Sequence, residues 1–324
     1  MKTTNPLRRR ATRLLLSALA LLPVLSAAPA FAAGQVVLQV GDQNYYNIRA
    51  SVEAANALEG ASYRVEWKHF QAAAPIAEAL DSAALDLGFL GDSGLLFLAA
   101  KGAPVKVVGV SRQNQDGVAL LVAKDAPYKT LADLKGRKVA IWPGAWSQQL
   151  VHRALEKQGL PQDYVELVKV MPIDASAALQ GGKIDAFPVW EPYISQLVVS
   201  GQARPLLTAK GLMPAISTIA ANADSAKAKR EAIADFLLRV KRAREWVNTH
   251  QEDYAARWAR TAKLEPETVQ HWFATARMVI EPVNDAAMAD LRDTADFLRK
   301  SGAIATPLDI DKVVDRSFGA ALAP

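Results

Sequence analysis

The chain has 324 residues and no cysteine, with 38 Lys and Arg against 33 Asp and Glu. Lacking cysteine, it cannot have disulfides, thiolate metal sites, a cysteine nucleophile or a lipid-bearing cysteine. Five of the 38 basic residues (Lys2, Arg8, Arg9, Arg10 and Arg13) lie near the start, leaving 33 to balance the 33 acidic ones. That balance argues against nucleic acid or an anionic membrane surface as the main partner.

Those five basic residues precede an apolar run over 14–25, too short to span a bilayer comfortably, and Ala30-Phe31-Ala32 follows with small residues. A signal peptide over 1–32, cleaved near Ala32, is expected, with the mature chain in the periplasm. Arg9-Arg10 is continued poorly as a twin-arginine signal by Ala11-Thr12-Arg13, so the general secretory route is expected.

In the mature chain a strand over 36–40 leads into a polar turn, Gly41 to Tyr46, and a helix near 48–58. A strand over 63–67 is followed by Phe70-Gln71 and a helix over 75–80, where Pro75 suits the first turn. A strand over 85–90 ends in Gly91-Asp92-Ser93-Gly94 before a helix over 95–101. The apolar run 105–110 reads as a strand of a parallel sheet buried on both faces. The strand over 118–122 suits a crossover, because the βα pattern restarts after it.

A short capped helix over 131–136 precedes the strand 139–142, and Pro143-Gly144 then force a turn. Ser147 is expected to N-cap the next helix, whose apolar residues Leu150, Val151, Ala154 and Leu155 share one face, and Gly159 suits its left-handed end. There follow a strand over 165–170, a helix over 175–180, a strand over 184–189 running into Trp190-Glu191-Pro192-Tyr193, a helix to about 199 and a strand near 204–207. A strand over 216–221 returns the chain to the first half. Helical periodicity then covers 226–248, 251–261, 266–278 and 284–301, with Lys229, Arg230, Arg239, Lys241, Arg242 and Arg244 expected on solvated faces.

Leu80, Leu85, Asp86 and Phe89 have counterparts 99 positions later in Leu179, Ile184, Asp185 and Pro188. The same offset pairs Gly91-Asp92-Ser93 with Trp190-Glu191-Pro192, and Asn44-Tyr45 with Pro143-Gly144. Two similar βα lobes would bring four strand-to-helix turns together across a cleft, since ligands of such sheets gather at the carboxyl ends of strands. The expected boundaries are 33–117 for the first part of lobe 1, 118–212 for lobe 2 and 213–324 for the return to lobe 1.

Catalytic patterns are missing: no HExxH spacing and no Gly-x-Ser-x-Gly elbow occurs, and no metal or cofactor is expected. Ser93 has no evident base and reads as part of a polar turn. His69 either meets ligand or merely ends a strand. Binding chemistry is better represented. The turns at Gly91-Asp92-Ser93 and Gly144-Ala145-Trp146-Ser147 offer backbone N–H groups and hydroxyls to an anion. Phe70, Trp142, Trp146, Trp190, Tyr45 and Tyr46 offer ring surface around it. Glu191 either accepts an ammonium group of the ligand or pairs with a basic residue of the other lobe.

The stretches Phe70 to Leu80, Leu85-Asp86-Leu87-Gly88 with Gly91-Asp92-Ser93, Ala132 to Ala140, and Ala186 to Tyr193 together resemble the aliphatic sulfonate, taurine and nitrate branch of ABC-transporter periplasmic substrate-binding proteins. The resemblance covers roughly 35–299. It implies an α/β type II periplasmic binding fold, with two βα lobes, a hinge, a cleft and a helical C-terminal region. It further implies capture of a small organic anion for an ABC permease in the inner membrane, by a monomer that is not an enzyme. The implied ligand residues are Asn44, Tyr45, Phe70, Gln71, Gly91, Asp92, Ser93, Trp142, Gly144, Ala145, Trp146, Ser147, Trp190 and Glu191. Trp146 departs from the small or hydroxyl residues common there, which points to an aryl sulfonate or another anion with a planar group. The competing readings are a thiamine-pyrimidine-synthase type enzyme on the same fold and a soluble ligand sensor.

Overall fold

The computed structural model describes residues 35–43, 47–70 and 73–322. The expected signal peptide, and Asn44, Tyr45, Tyr46 and Gln71 of the expected site, lie outside the described residues. The chain begins with β1 (Val37–Asp42), α1 (Asn47–Ala54), β2 (Arg64–His69), α2 (Ala73–Asp81), β3 (Leu87–Gly91), α3 (Asp92–Ala99) and β4 (Val105–Arg112). It continues with β5 (Val118–Ala123), β6 (Lys138–Ile141), α4 (Trp146–Lys157), β7 (Glu166–Lys169), α5 (Pro172–Gln180), β8 (Ala186–Trp190), α6 (Tyr193–Val199) and β9 (Ala203–Thr208). The last part holds β10 (Ile216–Asn222), α7 (Ala223–Ala228), α8 (Arg230–Thr249), α9 (Gln251–Ala262), α10 (Pro266–Ala276), β11 (Val279–Glu281), α11 (Asp285–Lys300), α12 (Ile310–Val313) and α13 (Gly319–Leu322).

Two sheets result, ordered β11-β4-β10-β3-β1-β2 and β7-β6-β8-β5-β9. The chain crosses between them twice. The two crossing segments are bonded to each other: Gln113 N–H donates to the Ala215 carbonyl at 3.0 Å, and the Gln115 amide to the Met213 carbonyl at 2.7 Å.

The offset of 99 is repeated in individual hydrogen bonds. Asp86 donates its N–H to the Gln39 carbonyl, and its carboxylate accepts the Gln39 N–H, both at 2.8 Å. Asp185 does the same with Lys138, at 2.8 and 2.9 Å. In register, Val40 faces Leu87 and Val139 faces Ala186. At the outer strands the relation slips by one residue: Gln39 faces Glu66, whereas Lys138 faces Glu166, so His69 corresponds to Lys169.

Both faces of each sheet are covered. Ile76, Leu80, Leu95, Leu96, Leu291 and Leu298 form a core on one side of the six-stranded sheet, and Leu38, Val40, Ile233, Phe236 and Val240 on the other. The predicted face of α4 is buried with Val118, Leu120 and Val139, each large aliphatic side chain contributing about 2 kcal/mol. Leu179, Phe187 and Ile194 fill the opposite side of that sheet, and Tyr254, Trp258, Trp272 and Phe273 make a separate aromatic core among the C-terminal helices.

Three expectations are corrected. The run in β4 is buried, but both of its neighbours, β10 and β11, are antiparallel. Helices cover both faces here, and burial makes a strand apolar whichever way its partners run. The predicted helix over 226–248 is divided at Lys229, which leaves helical geometry while its Nζ reaches the Val37 carbonyl at 2.8 Å and Asp86 Oδ2 at 2.7 Å. Arg244 is buried rather than solvated, hydrogen-bonded to Tyr254 and attracted electrostatically by Asp42. The strand β11 had no sequence signal, being three residues long.

Candidate functional site

The carboxyl ends of β3 and β6 lead into the two helix starts that the sequence singles out. Gly91 is the N-cap of α3, so Asp92 and Ser93 lie in its first turn. The Trp146 ring lies beside Gly91, at ordinary contact distance (3.8 Å) from where a Cβ would stand. Across from it, Gly144 takes φ +72°, a left-handed turn that suits glycine, and Ala145 is the N-cap of α4. Ser147 is therefore not the cap. It is the second helical residue, and its Oγ accepts the Trp142 N–H at 2.9 Å.

Two backbone donors of this second turn and the indole of Trp146 are bonded within the chain. Gly144 N–H goes to Gln148 Oε1 at 2.8 Å, and Ala145 N–H to the Trp142 carbonyl at 3.2 Å. The Trp146 indole N–H crosses to Asp92 Oδ1 at 2.5 Å. Asp92 also accepts Ser93 N–H at 2.7 Å, and its Oδ2 accepts the Thr294 hydroxyl of α11 at 2.7 Å. Burial pushes the Asp92 carboxyl up to about 6, against these three donors that favour its charge. The two predicted anion turns thus meet through a tryptophan and a carboxylate.

Aromatic side chains line the carboxyl end of the second sheet. Trp146 meets Trp190 edge to face at 6.4 Å, and Trp190 meets Tyr193 at 6.4 Å. Trp142 lies beneath Lys169, whose Nζ is 5.0 Å from the ring centroid. Phe70 ends the adjoining strand of the first sheet, donating its N–H to the Asp42 carbonyl at 2.9 Å and packing against the core. Asp42 is fully buried and accepts the N–H groups of Gln43 and Arg49 at 2.9 Å each, fixing the ends of the turn between β1 and α1. Burial pushes its carboxyl up to about 7.

Glu191 is buried at the end of β8, and its hydrogen-bond partners are Ser195 and Thr275, with His271 of α10 acting on it only through its charge. Oε2 accepts the Ser195 N–H at 3.0 Å and Oε1 the Thr275 hydroxyl of α10 at 2.6 Å; burial raises its carboxyl. Ser195 Oγ lies 2.9 Å from His271 Nδ1, so α10 is joined once to the end of β8 and once to α6. On the other flank, α4 reaches α11 through Arg153 and Asp293 at 2.6 Å and through an edge contact of His152 with Phe297.

The structure brings together Gly91, Asp92, Ser93, Trp146 and Trp190, with Trp142, Gly144, Ala145 and Ser147 in the same turn. Glu191 follows Trp190 but faces α10. Lys169, Thr275 and Thr294 were missed. Thr275 and Thr294 lie inside helices with no local signal, while Lys169 is found by aligning the strand ends with His69. Among the described residues no group of three His, Asp or Glu is placed to hold a metal, and no helix is long and apolar enough to cross a membrane. A cavity of about 480 Å³ lies beside the crossing segments, lined by Arg112, Asn114, Met213, Asp290 and Asp293.

Comparison with known proteins gives consistent matches. Residues 65–254 match the family model described as NMT1/THI5 like. The chain is 32% identical over 248 residues to an Escherichia coli (strain K12) protein named for binding aliphatic sulfonates, covering 76% of this chain and 78% of that one. Its fold is similar to the periplasmic aliphatic sulphonate binding protein SsuA from Escherichia coli, with a TM-score of 0.80 and 29% identity over 86% of this chain and 92% of that one. It is likewise similar to the alkanesulfonate-binding protein SsuA from Xanthomonas axonopodis pv. citri bound to MOPS, with a TM-score of 0.81 and 25% identity over 88% of this chain and all (100%) of that one.

Proposed function

Because the chain belongs to the NMT1/THI5-like family, we propose that it is the substrate-binding component of an ABC importer. It captures a small organic anion of sulfonate type, alkyl or aryl, between two lobes and delivers it to a permease in the inner membrane. The lobes are 33–117 with 213–324, and 118–212; the crossing segments act as the hinge. The protein works in the periplasm as a monomer, by binding rather than by catalysis. The ligand residues are those at the strand ends, Phe70, Gly91 to Ser93, Trp142, Gly144 to Ser147, Trp190 and Glu191, together with Asn44, Tyr45 and Gln71, which lie outside the described residues.

The observation that carries this reading is the meeting of two helix starts from different sheets, α3 and α4, at Asp92 and Trp146. Their flanking contacts, Glu191 with Thr275 and Arg153 with Asp293, join the two sheets' helices on either side, as closure over a ligand requires.

Thermal denaturation with a panel of taurine, alkanesulfonates, benzenesulfonate and nitrate tests it. A ligand at a hundred times its Kd adds about 2.7 kcal/mol of stability, a readily measured rise in Tm. If no compound of the panel shifts Tm, the reading is wrong.

A further inference from the structure

The gap between the two helix starts is already filled. Trp146 is buried, its ring lies against Gly91 and Trp190, and its N–H is bonded to Asp92. The head of an anion placed there would stand beside a buried carboxylate, and like charges at contact distance repel. Four backbone donors there, Ser93 N–H, Trp142 N–H, Gly144 N–H and Ala145 N–H, already have partners in the chain. A cation stands nearby instead. Lys169 ends β7 beside Trp142, with its Nζ over the ring, and it forms no ion pair among the described residues. It occupies the position that His69 occupies at the end of β2.

Resting on the function proposed above, we propose that Trp146 is the specificity-determining residue of the cleft. Its indole closes the gap between the helix starts and diverts the ligand's anionic head to Lys169 over Trp142. Ligands with a planar body that lies on Trp142 and Trp190 are selected over compact alkanesulfonates. Ring stacking and a charge-assisted contact to Lys169 then act together, neither of which needs the gap.

Calorimetric titration of the full mature chain with benzenesulfonate and with methanesulfonate tests this in wild type, W146S and K169Q. Wild type should prefer benzenesulfonate. W146S, which opens the gap, should move the affinity ratio toward methanesulfonate by about tenfold or more, and K169Q should weaken benzenesulfonate by about tenfold, the loss expected for one charge-assisted contact. Lys169 is exposed, so K169Q carries the test even where W146S fails to fold. An unchanged ratio in folded W146S, or full benzenesulfonate affinity in K169Q, overturns the proposal alone. Binding of neither sulfonate by wild type overturns this proposal, and only the failure of the whole panel above to shift Tm overturns the functional reading with it.

Discussion

Trp146 and Asp92 are 54 positions apart in sequence and are joined by a 2.5 Å hydrogen bond that ties the first turn of α4 to the first turn of α3. A buried carboxylate with three donors, and no ion pair among the described residues, links the two sheets at the point where the chain leaves β3 and β6. Its value lies less in the bond made than in the penalty for leaving it unmade.

Trp146→Phe keeps the ring and removes the donor. Asp92 Oδ1 then retains only the Ser93 N–H, and the loss should be about 1.5–3 kcal/mol, the worth of one hydrogen bond to a charged group. At roughly 2–4 °C per kcal/mol for a chain of this size, Tm should fall by several degrees. Calorimetric melting checks it; an unchanged Tm would mean the bond contributes nothing.

The two flanking contacts should differ in strength. Thr275→Val leaves Glu191 Oε1 buried without its hydroxyl donor and should cost about 1–3 kcal/mol. Arg153→Met breaks a pair whose Asp293 side chain is 42% exposed, and should cost no more than about 1 kcal/mol. Urea unfolding of both variants gives the order directly, and a reversed order contradicts this assignment.

Stability should decline as pH rises toward neutrality, in so far as Asp42 and Asp92 control it. Both carboxyls are raised by burial above the ordinary 3.8, to about 7 and about 6. The folded state therefore retains protons that the unfolded chain releases. The stabilisation is complete below about pH 4 and is lost as pH passes through 6 and then 7. Asp42→Asn cannot titrate, so its unfolding midpoint should change less between pH 5 and 8, by roughly 1 kcal/mol or more. Equal slopes in wild type and variant would refute this.

Gln149 offers the opposite experiment. It is fully buried in α4, and neither atom of its amide has a hydrogen-bond partner. Gln149→Met keeps length and volume while removing two unmet polar atoms, so stability should rise by about 1 kcal/mol. A destabilised variant would show that the amide is used.

Much of the fold was legible because it is local. Pro143-Gly144 marked a turn, the spacing of Leu150, Val151, Ala154 and Leu155 marked the buried face of α4, and the offset of 99 located Asp86 and Asp185, which make the same pair of backbone bonds. The turns of the candidate site were legible for the same reason, since strand ends and helix starts carry their own residue signatures.

What the amino-acid order determined by itself was the succession of βα units, their internal repeat and the residues at the turns, because periodicity and turn chemistry act over a few positions. The tertiary structure decided the rest. Only there does β4 acquire antiparallel neighbours, Arg244 become buried within electrostatic reach of Asp42, and Glu191 accept a hydrogen bond from Thr275. The same holds for Trp146: the sequence marks a bulky ring at an anion turn, but its N–H is committed to Asp92 only when two sheets close on each other. A buried polar group must be satisfied by whatever the fold brings within hydrogen-bond reach, and that partner is set by packing rather than by proximity in the chain.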